Sequence, residues 1–236
     1  MRAMVKSPRS ASMAPSNAGD APGDTPARLV AAGLKLFSEH GLDGVTTRAL
    51  AAEAGVNQAA IPYYFGSKEG VYLAVAEAVS DSLGQRIAGL LERLDEAMLR
   101  ADARELAPHL LPEALGQLSR AMHAAESASA QIAFIIGEQQ RPTAAFDELH
   151  QRLMQPVHER LAALLGLILD EQPQGERVAV TTHALFGLCS SFVTGRSSLQ
   201  RILDEHGEYS ASRAEQIAAC IEDVARAFVN GIRPRA

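Results

Sequence analysis

TTRALAAEAGVNQAAIPYYF, residues 46 to 65, decides what kind of protein this is. Thr46 suits a helix cap, and Ala49, Ala51, Ala52 and Ala54 give the helix after it a surface that a neighbour can approach closely. Gly55 stands where a positive φ is needed, and Val56 then points into a core. Asn57 starts a second short helix, in which Ile61 and Phe65 face inward while Gln58, Ala59, Ala60, Pro62, Tyr63 and Tyr64 are presented outward. Helix, glycine turn and helix in this order have the layout of a helix-turn-helix.

The outward set has the chemistry of a groove reader. A glutamine can bond an adenine edge through two hydrogen bonds, and small or apolar groups such as Ala59, Ala60 and Pro62 can meet thymine methyls. Thr47, Arg48, the two tyrosine hydroxyls and Lys68 suit phosphate oxygens, which set register without reading sequence. Pro62 is the anomaly. With Asn57 as cap it falls at the fifth helical position, where it deletes a donor and crowds the Gln58 carbonyl, at a cost of about 3 kcal/mol. An irregular or 3₁₀-like opening turn would lower that cost. On the first placement, Pro62→Ala restores a bond and raises stability. Whether the ring reads a base or shapes the Tyr63-Tyr64-Phe65 end is left open by the residues.

The rest of the chain reads as helix from residue 24 onward, and the expected fold is all-α: a three-helix N-terminal DNA-binding domain and a larger C-terminal helical domain. Leu29, Ala32, Gly33, Leu36 and Phe37 make one stripe, stopped at His40-Gly41. Ser67 caps a long helix with Val71, Val75, Val79, Leu83, Ile87, Leu90, Leu94 and Met98 on one side. Pro108 and Pro112 mark the start of the next, and SAQIAFIIGE is a short buried one. Thr143 caps a helix striped by Phe146, Leu149, Leu153, Val157, Leu161, Leu164 and Ile168, which Pro156 should bend. Two final helices are expected over 176–203 and 212–231, the last striped by Ile217, Ile221, Val224, Phe228 and Ile232. The domains read as a disordered tail over 1–23, the helix-turn-helix unit over 24–70, and a larger helical domain over 71–236.

At 47% hydrophobic residues the chain has material for a sizeable core. No membrane partner is expected: the uncharged stretch 178–194 contains His183, threonines and serines, and fits a helix buried in protein. Cys189 and Cys220 have no partner at metal or redox spacing, and read as small core residues in a reducing cytoplasm. His150 and His158, eight apart, are not a metal pair, and no cofactor is expected. Net charge is −6, yet residues 1–75 carry seven basic against six acidic groups, so acidity does not exclude a nucleic-acid partner.

TTRALAAEAGVNQAAIPYYFGSKEGVYLAV resembles the DNA-binding region of TetR-family transcriptional regulators, and GEQQRPTAAFDELHQRLMQPVHERLAALLG resembles one C-terminal effector-domain subgroup of that family. The resemblance implies that Thr47, Arg48, Gln58, Ala59, Ala60, Tyr63, Tyr64 and Lys68 occupy DNA-facing positions, with Pro62 a departure from the usual unbroken helix. It implies a homodimer paired through its last two helices, a double-stranded DNA operator, and repression relieved by a small-molecule effector, with 71–236 as the effector-binding and dimerisation domain. Phe134, Glu138, Arg141, Phe146, His150, His183 and Phe186 are the candidates for the effector site, in a mostly apolar cavity bounded by helices 104–122, 127–138 and 143–168 and the helix beginning near Glu176. Two other readings stand beside this one. One is a constitutive DNA-binding protein without effector. The other is a helical enzyme, for which no G-x-S-x-G, S-x-x-K, P-loop or dinucleotide fingerprint is present.

Overall fold

The computed structural model describes residues 25–123, 128–207 and 209–232. The tail expected over 1–23 lies outside the described residues. Among the described residues all regular structure is helical: α1 (Thr25–His40), α2 (Thr47–Ala54), α3 (Ala60–Phe65), α4 (Lys68–Met98), α5 (Ala103–His123), α6 (Ala128–Gln140) and α7 (Ala144–Leu149). A π-helical turn (His150–Met154) leads into α8 (Gln155–Leu169), followed by α9 (Glu176–Thr194), α10 (Arg196–Leu203) and α11 (Ala211–Gly231).

The N-terminal unit closes on itself through small residues and caps. Thr46 accepts from the Ala49 amide and Ser67 from the Gly70 amide, as expected of both. Gly33 lets α1 lie against α4, since a Cβ there would come within 2.8 Å of Val75 Cγ2. Leu29, Phe37, Leu50, Ile61, Val71 and Val75 fill the space between, all nearly inaccessible. α4 then runs on, so the same helix that completes this unit also forms a wall of the C-terminal body, where it packs on α5, α7 and α8. α1 also packs directly on α6, which ties the N-terminal unit to the body a second time.

Several expectations for the body need correction. α5 begins at Ala103, so Pro108 and Pro112 lie inside the helix rather than at its start. The long helix expected over 176–203 is two, α9 and α10, bent by 63°. Gly195 is the break, and the hydroxyls before it weaken the ladder: Ser190, Ser191 and Thr194 each donate back to a carbonyl three or four residues earlier. On α11 the buried face is Ile217, Ala218, Ile221, Ala225 and Val229, which leaves Val224 and Cys220 exposed. α11 lies close along α5, where a Cβ on Gly116 would come within 2.1 Å of Glu222, and so close a contact selects alanines over the larger Val224. Cys189 does lie in the core, its thiol donating to the Leu115 carbonyl at 3.3 Å and pushed up to about 12 by burial.

Pro156 lies at the start of α8, directly after the π turn. The Gln155 amide donates to His150, five residues back, so the ladder is already out of α register where the proline supplies no N–H. No single helix among the described residues is long and apolar enough to cross a membrane; only the bent pair α9 and α10 meets the test jointly.

Candidate nucleic-acid interface and ligand cavity

The turn between α2 and α3 is held from three sides. Gly55 adopts φ 63° and caps α2, and the Arg28 guanidinium of α1 donates to its carbonyl at 2.9 Å. Any side chain at 55 would meet that guanidinium at 2.7 Å as well as an unfavourable φ. Lys35 on α1 pairs with Glu53 on α2 at 2.6 Å.

The third helix begins two residues later than its sequence suggests. The Asn57 side chain accepts from the Ala59 amide at 2.9 Å, and an i to i+3 turn follows, with Ala60 N–H to Asn57 O at 2.9 Å and Ile61 N–H to Gln58 O at 3.2 Å. The Gln58 carbonyl, which an α-helix from Asn57 would leave without its donor at Pro62, is therefore satisfied by Ile61. Pro62 is the third residue of α3, inside its first turn, where no intrahelical donor is needed. The expected loss of about 3 kcal/mol does not arise.

Around this turn the expected DNA-facing residues form one exposed surface. Tyr63 is 80% exposed, and its ring meets that of Tyr64 edge to face at 4.7 Å. Arg48, Gln58, Ala59 and Pro62 are exposed and Ala60 half-buried. The Gln58 amide donates to the Thr47 hydroxyl at 2.8 Å, so these two polar groups hold each other in place. Lys68 is differently employed: half-buried, it donates to the Leu42 carbonyl at 2.7 Å and fastens the loop after α1 to the start of α4.

The effector candidates divide among three cavities. The first, of about 330 Å³, lies among α4, α5, α6, the π turn, α8 and α9, and is lined by side chains such as Leu83, Ile87, Leu118, Met122, Ile132 and Ile135. Its bounding helices are those expected, with α4 added. Of the seven candidates only Phe186 reaches it. Phe146, His150, His183 and again Phe186 line a second cavity of about 650 Å³. Phe134, Glu138 and Arg141 border a third, of about 560 Å³, beside the end of α1.

Phe134 and Glu138 do something else besides. Tyr72 of α4 sits between the rings of Phe37 on α1 and Phe134 on α6, each centroid 4.8 Å away. Its hydroxyl donates to Glu138 at 2.6 Å, and the other carboxylate oxygen accepts from the Thr143 amide and hydroxyl, both at 3.0 Å. Glu138 is 1% exposed, and three donors stand in for the water it has lost. Burial first, and the neighbouring carboxylate second, push the Tyr72 hydroxyl well above the usual tyrosine value, so it remains a donor. α6 thus borders the apolar cavity on one face (Ile132, Ile135, Gln139) and the N-terminal unit on the next (Phe134, Glu138). Sequence reasoning could not find this link, because Tyr72 and Glu138 are 66 residues apart.

Comparison with known proteins agrees with this geometry. Residues 29–75 match the family model for bacterial regulatory proteins of the tetR family, and residues 107–232 match the model for the C-terminal domain of the HTH-type transcriptional dual regulator CecR. The CecR protein of Shigella flexneri is 32% identical over 173 residues, 73% of this chain and 77% of its own. The HTH-type transcriptional repressor AcnR of Corynebacterium glutamicum is 32% identical over 77 residues, covering 32% of this chain and 41% of its own. Among solved structures, the TetR-family regulator PfmR from Thermus thermophilus superposes with a TM-score of 0.56 at 19% identity, covering 85% of this chain and 97% of that one. The family member SCO3833 from Streptomyces coelicolor gives 0.57 at 21%, covering 89% and 92%. A helix-turn-helix with an exposed aromatic end, a helical body joined to it through α4 and α6, and two family models that together span most of the chain have one meaning: this is a transcriptional regulator, and it belongs to the TetR family.

Proposed function

We propose that the protein is a ligand-responsive repressor that binds a palindromic DNA operator as a homodimer and releases it when a small, mostly apolar molecule occupies the body. The observation that carries this reading is the double role of α6, which walls an apolar cavity with Ile132, Ile135 and Gln139 and grips the DNA-binding unit with Phe134 and Glu138. A ligand that favours one placement of α6 shifts the spacing of two such units, and without that differential affinity nothing is released. Gln58, Ala59, Ala60, Pro62, Tyr63 and Tyr64 read the groove, with Thr47 and Arg48 at the backbone.

Dimerisation is supported by what the monomer leaves uncovered. Val180, Ala184, Gly187 and Ser191 recur along α9, and Cys220, Val224 and Ala227 along α11, with Val180 64% exposed and Val224 46%. Two copies of this pair of faces make a four-helix bundle, and a stable interface needs roughly 800 Å² from each partner. Two-fold symmetry then asks for half-sites about one helical turn apart, or a multiple. The CecR relative is described as a dual regulator, so activation at a second class of promoter is the alternative.

The test begins with the purified full-length chain and fragments of the source genome, followed by footprinting and sedimentation. A two-fold footprint on a dimer that a small apolar compound abolishes supports the reading. Equal retention of random DNA at physiological salt, or a monomer at micromolar concentration, overturns it. A footprint upstream of the promoter with increased transcription selects activation.

A further inference from the structure

The apolar cavity is not isolated. Gln139, Met154, Phe186 and Ser190 line both it and the 650 Å³ cavity beside it, so the two share a wall of four side chains. The second cavity is built from different chemistry. His150, His158 and His183 line it, together with Phe146 and Phe186. The rings are ordered: Phe146 stacks on His150 with centroids 5.7 Å apart and planes 16° apart, and His158 stacks on His183 at 5.8 Å and 23°. Phe186 lies against His158 at 4.8 Å, and it is also the side chain that reaches the apolar chamber.

His158 is fixed in tautomer as well as position. Its Nδ1 lies 2.9 Å from the Met154 carbonyl, which can only accept, so Nδ1 carries the proton and Nε2 is the basic nitrogen of the neutral ring. The lining includes one carboxylate, Glu159, which already accepts from the Gln155 amide at 2.7 Å. Imidazole N–H groups can donate to a negative head, and no ring here can become negative to meet a positive one.

We propose that the two cavities form one bipartite site whose ligand is an amphiphilic carboxylic acid, its apolar body in the chamber of Leu83, Ile87, Ile132 and Ile135 and its carboxyl group among His150, His158 and His183. This rests on the reading of the chamber as an effector site and adds the class of molecule. The π turn is what brings the halves together: Leu153 and Met154 within it face the chamber, while His150 at its start and His158 just after it line the head compartment. Met154 serves both cavities, and so does Gln139, whose amide contacts the Met154 sulfur at 3.5 Å.

Three probes with one chain and different heads test it on the full-length protein: decanoate, decanol and decyltrimethylammonium, each below its micelle concentration, with binding followed by calorimetry. Decanoate is expected to bind at least tenfold more tightly than decanol. The double variant H150Q/H183Q, which changes two exposed side chains, is expected to erase that preference, decanoate then binding no more tightly than decanol. Equal binding of decanoate and decanol, a preference for the ammonium, or no binding of any probe overturns the proposal, as does a preference that survives in the double variant. Operator release measured in the same samples separates this from the wider reading. Decanoate that binds with the head preference but leaves DNA bound keeps the bipartite site and removes its effector role. Release by decanol without any head preference keeps the effector role and removes the acid.

Discussion

The DNA-binding unit and the body behind it are built to opposite specifications. In the first, the caps of α2 and α4 fall where expected, glycines permit close contact, and Leu29, Leu50, Ile61, Val71 and Val75 are at most 1% exposed. In the second, two prolines interrupt α5, a π turn interrupts the helix from α7 to α8, a glycine breaks α9 from α10, and a cavity remains in the middle. A surface that reads DNA has to keep its side chains in fixed relation to one another. A body that answers a ligand has to have more than one acceptable packing, and imperfect helices around a void supply that.

The largest expected effect tests the contrast directly. Leu50→Ala, in the close-packed unit, should cost about 3 kcal/mol or more by urea unfolding, as a full cavity opens there. Ile135→Ala enlarges a void that already exists, and should cost no more than about half as much. Equal losses would mean that the body is as tightly determined as the head. Tyr63→Ala comes next. With the side chain 80% exposed, the thermal midpoint should stay where it is while operator affinity drops tenfold or more, about 1.4 kcal/mol.

Tyr72→Phe probes the join between the regions. It deletes one hydrogen bond to the buried Glu138 carboxylate, costing about 1–3 kcal/mol of stability. Its distinguishing effect is on coupling: ligand affinity should persist while ligand-driven release of DNA weakens about fivefold, read by titrating DNA binding at saturating ligand. Full retention of release would show that the signal travels through the α1–α6 contact alone. Pro62→Ala is smaller and opposite in sign to the expectation from sequence. Since Pro62 occupies the first turn and its absent N–H is not missed, alanine adds freedom to the unfolded chain and should lower stability by about 0.4–1 kcal/mol. A rise would show that α3 starts at Asn57 after all. Operator selection on the same variant then separates base reading, a changed preference at one step per half-site, from shaping of the tyrosine pair, a uniform weakening.

The smallest effect is a pH slope. Burial holds His158 below the ordinary histidine value, with His183 and His150 adding to it. The unfolded chain therefore takes up its proton first, so stability should fall as pH drops from about 6.5 towards the lowered value and be flat above. His158→Gln should flatten that slope, a change of about 1–2 °C in midpoint at pH 5.5.

What the sequence made legible follows the same division. The helix-turn-helix is specified by neighbours: Thr46, Gly55 and Ser67 act on residues within a few positions, and each does what its chemistry suggests. The start of α3 is easily misplaced because Asn57 caps a 3₁₀ turn as readily as an α-helix. In α11 the largest apolar residues suggest a face through Val224, whereas closeness to α5 selects Ala218 and Ala225. The π turn did leave a trace. Leu149, Leu153, Val157 and Leu161 are spaced by four each time, and a period of about 3.6 cannot keep three such steps on one face unless the helix is underwound. The apolar cavity's bounding helices are anticipated but its lining residues, Phe186 apart, are not, since its walls come from six elements and nothing local marks a residue that borders empty space.

If the apolar cavity is the effector site proposed above, ligand contact and grip on the DNA-binding unit occupy neighbouring faces of α6 and are separable in design. Ile132, Ile135 and Gln139 can be exchanged to suit another molecule without rewriting Phe134 or Glu138. A lineage, or an engineer building a biosensor, can therefore retarget what is sensed at three positions while inheriting the output unchanged. On the same reading the reverse also holds: a change at Glu138 would weaken the response to every molecule the cavity could be taught to accept.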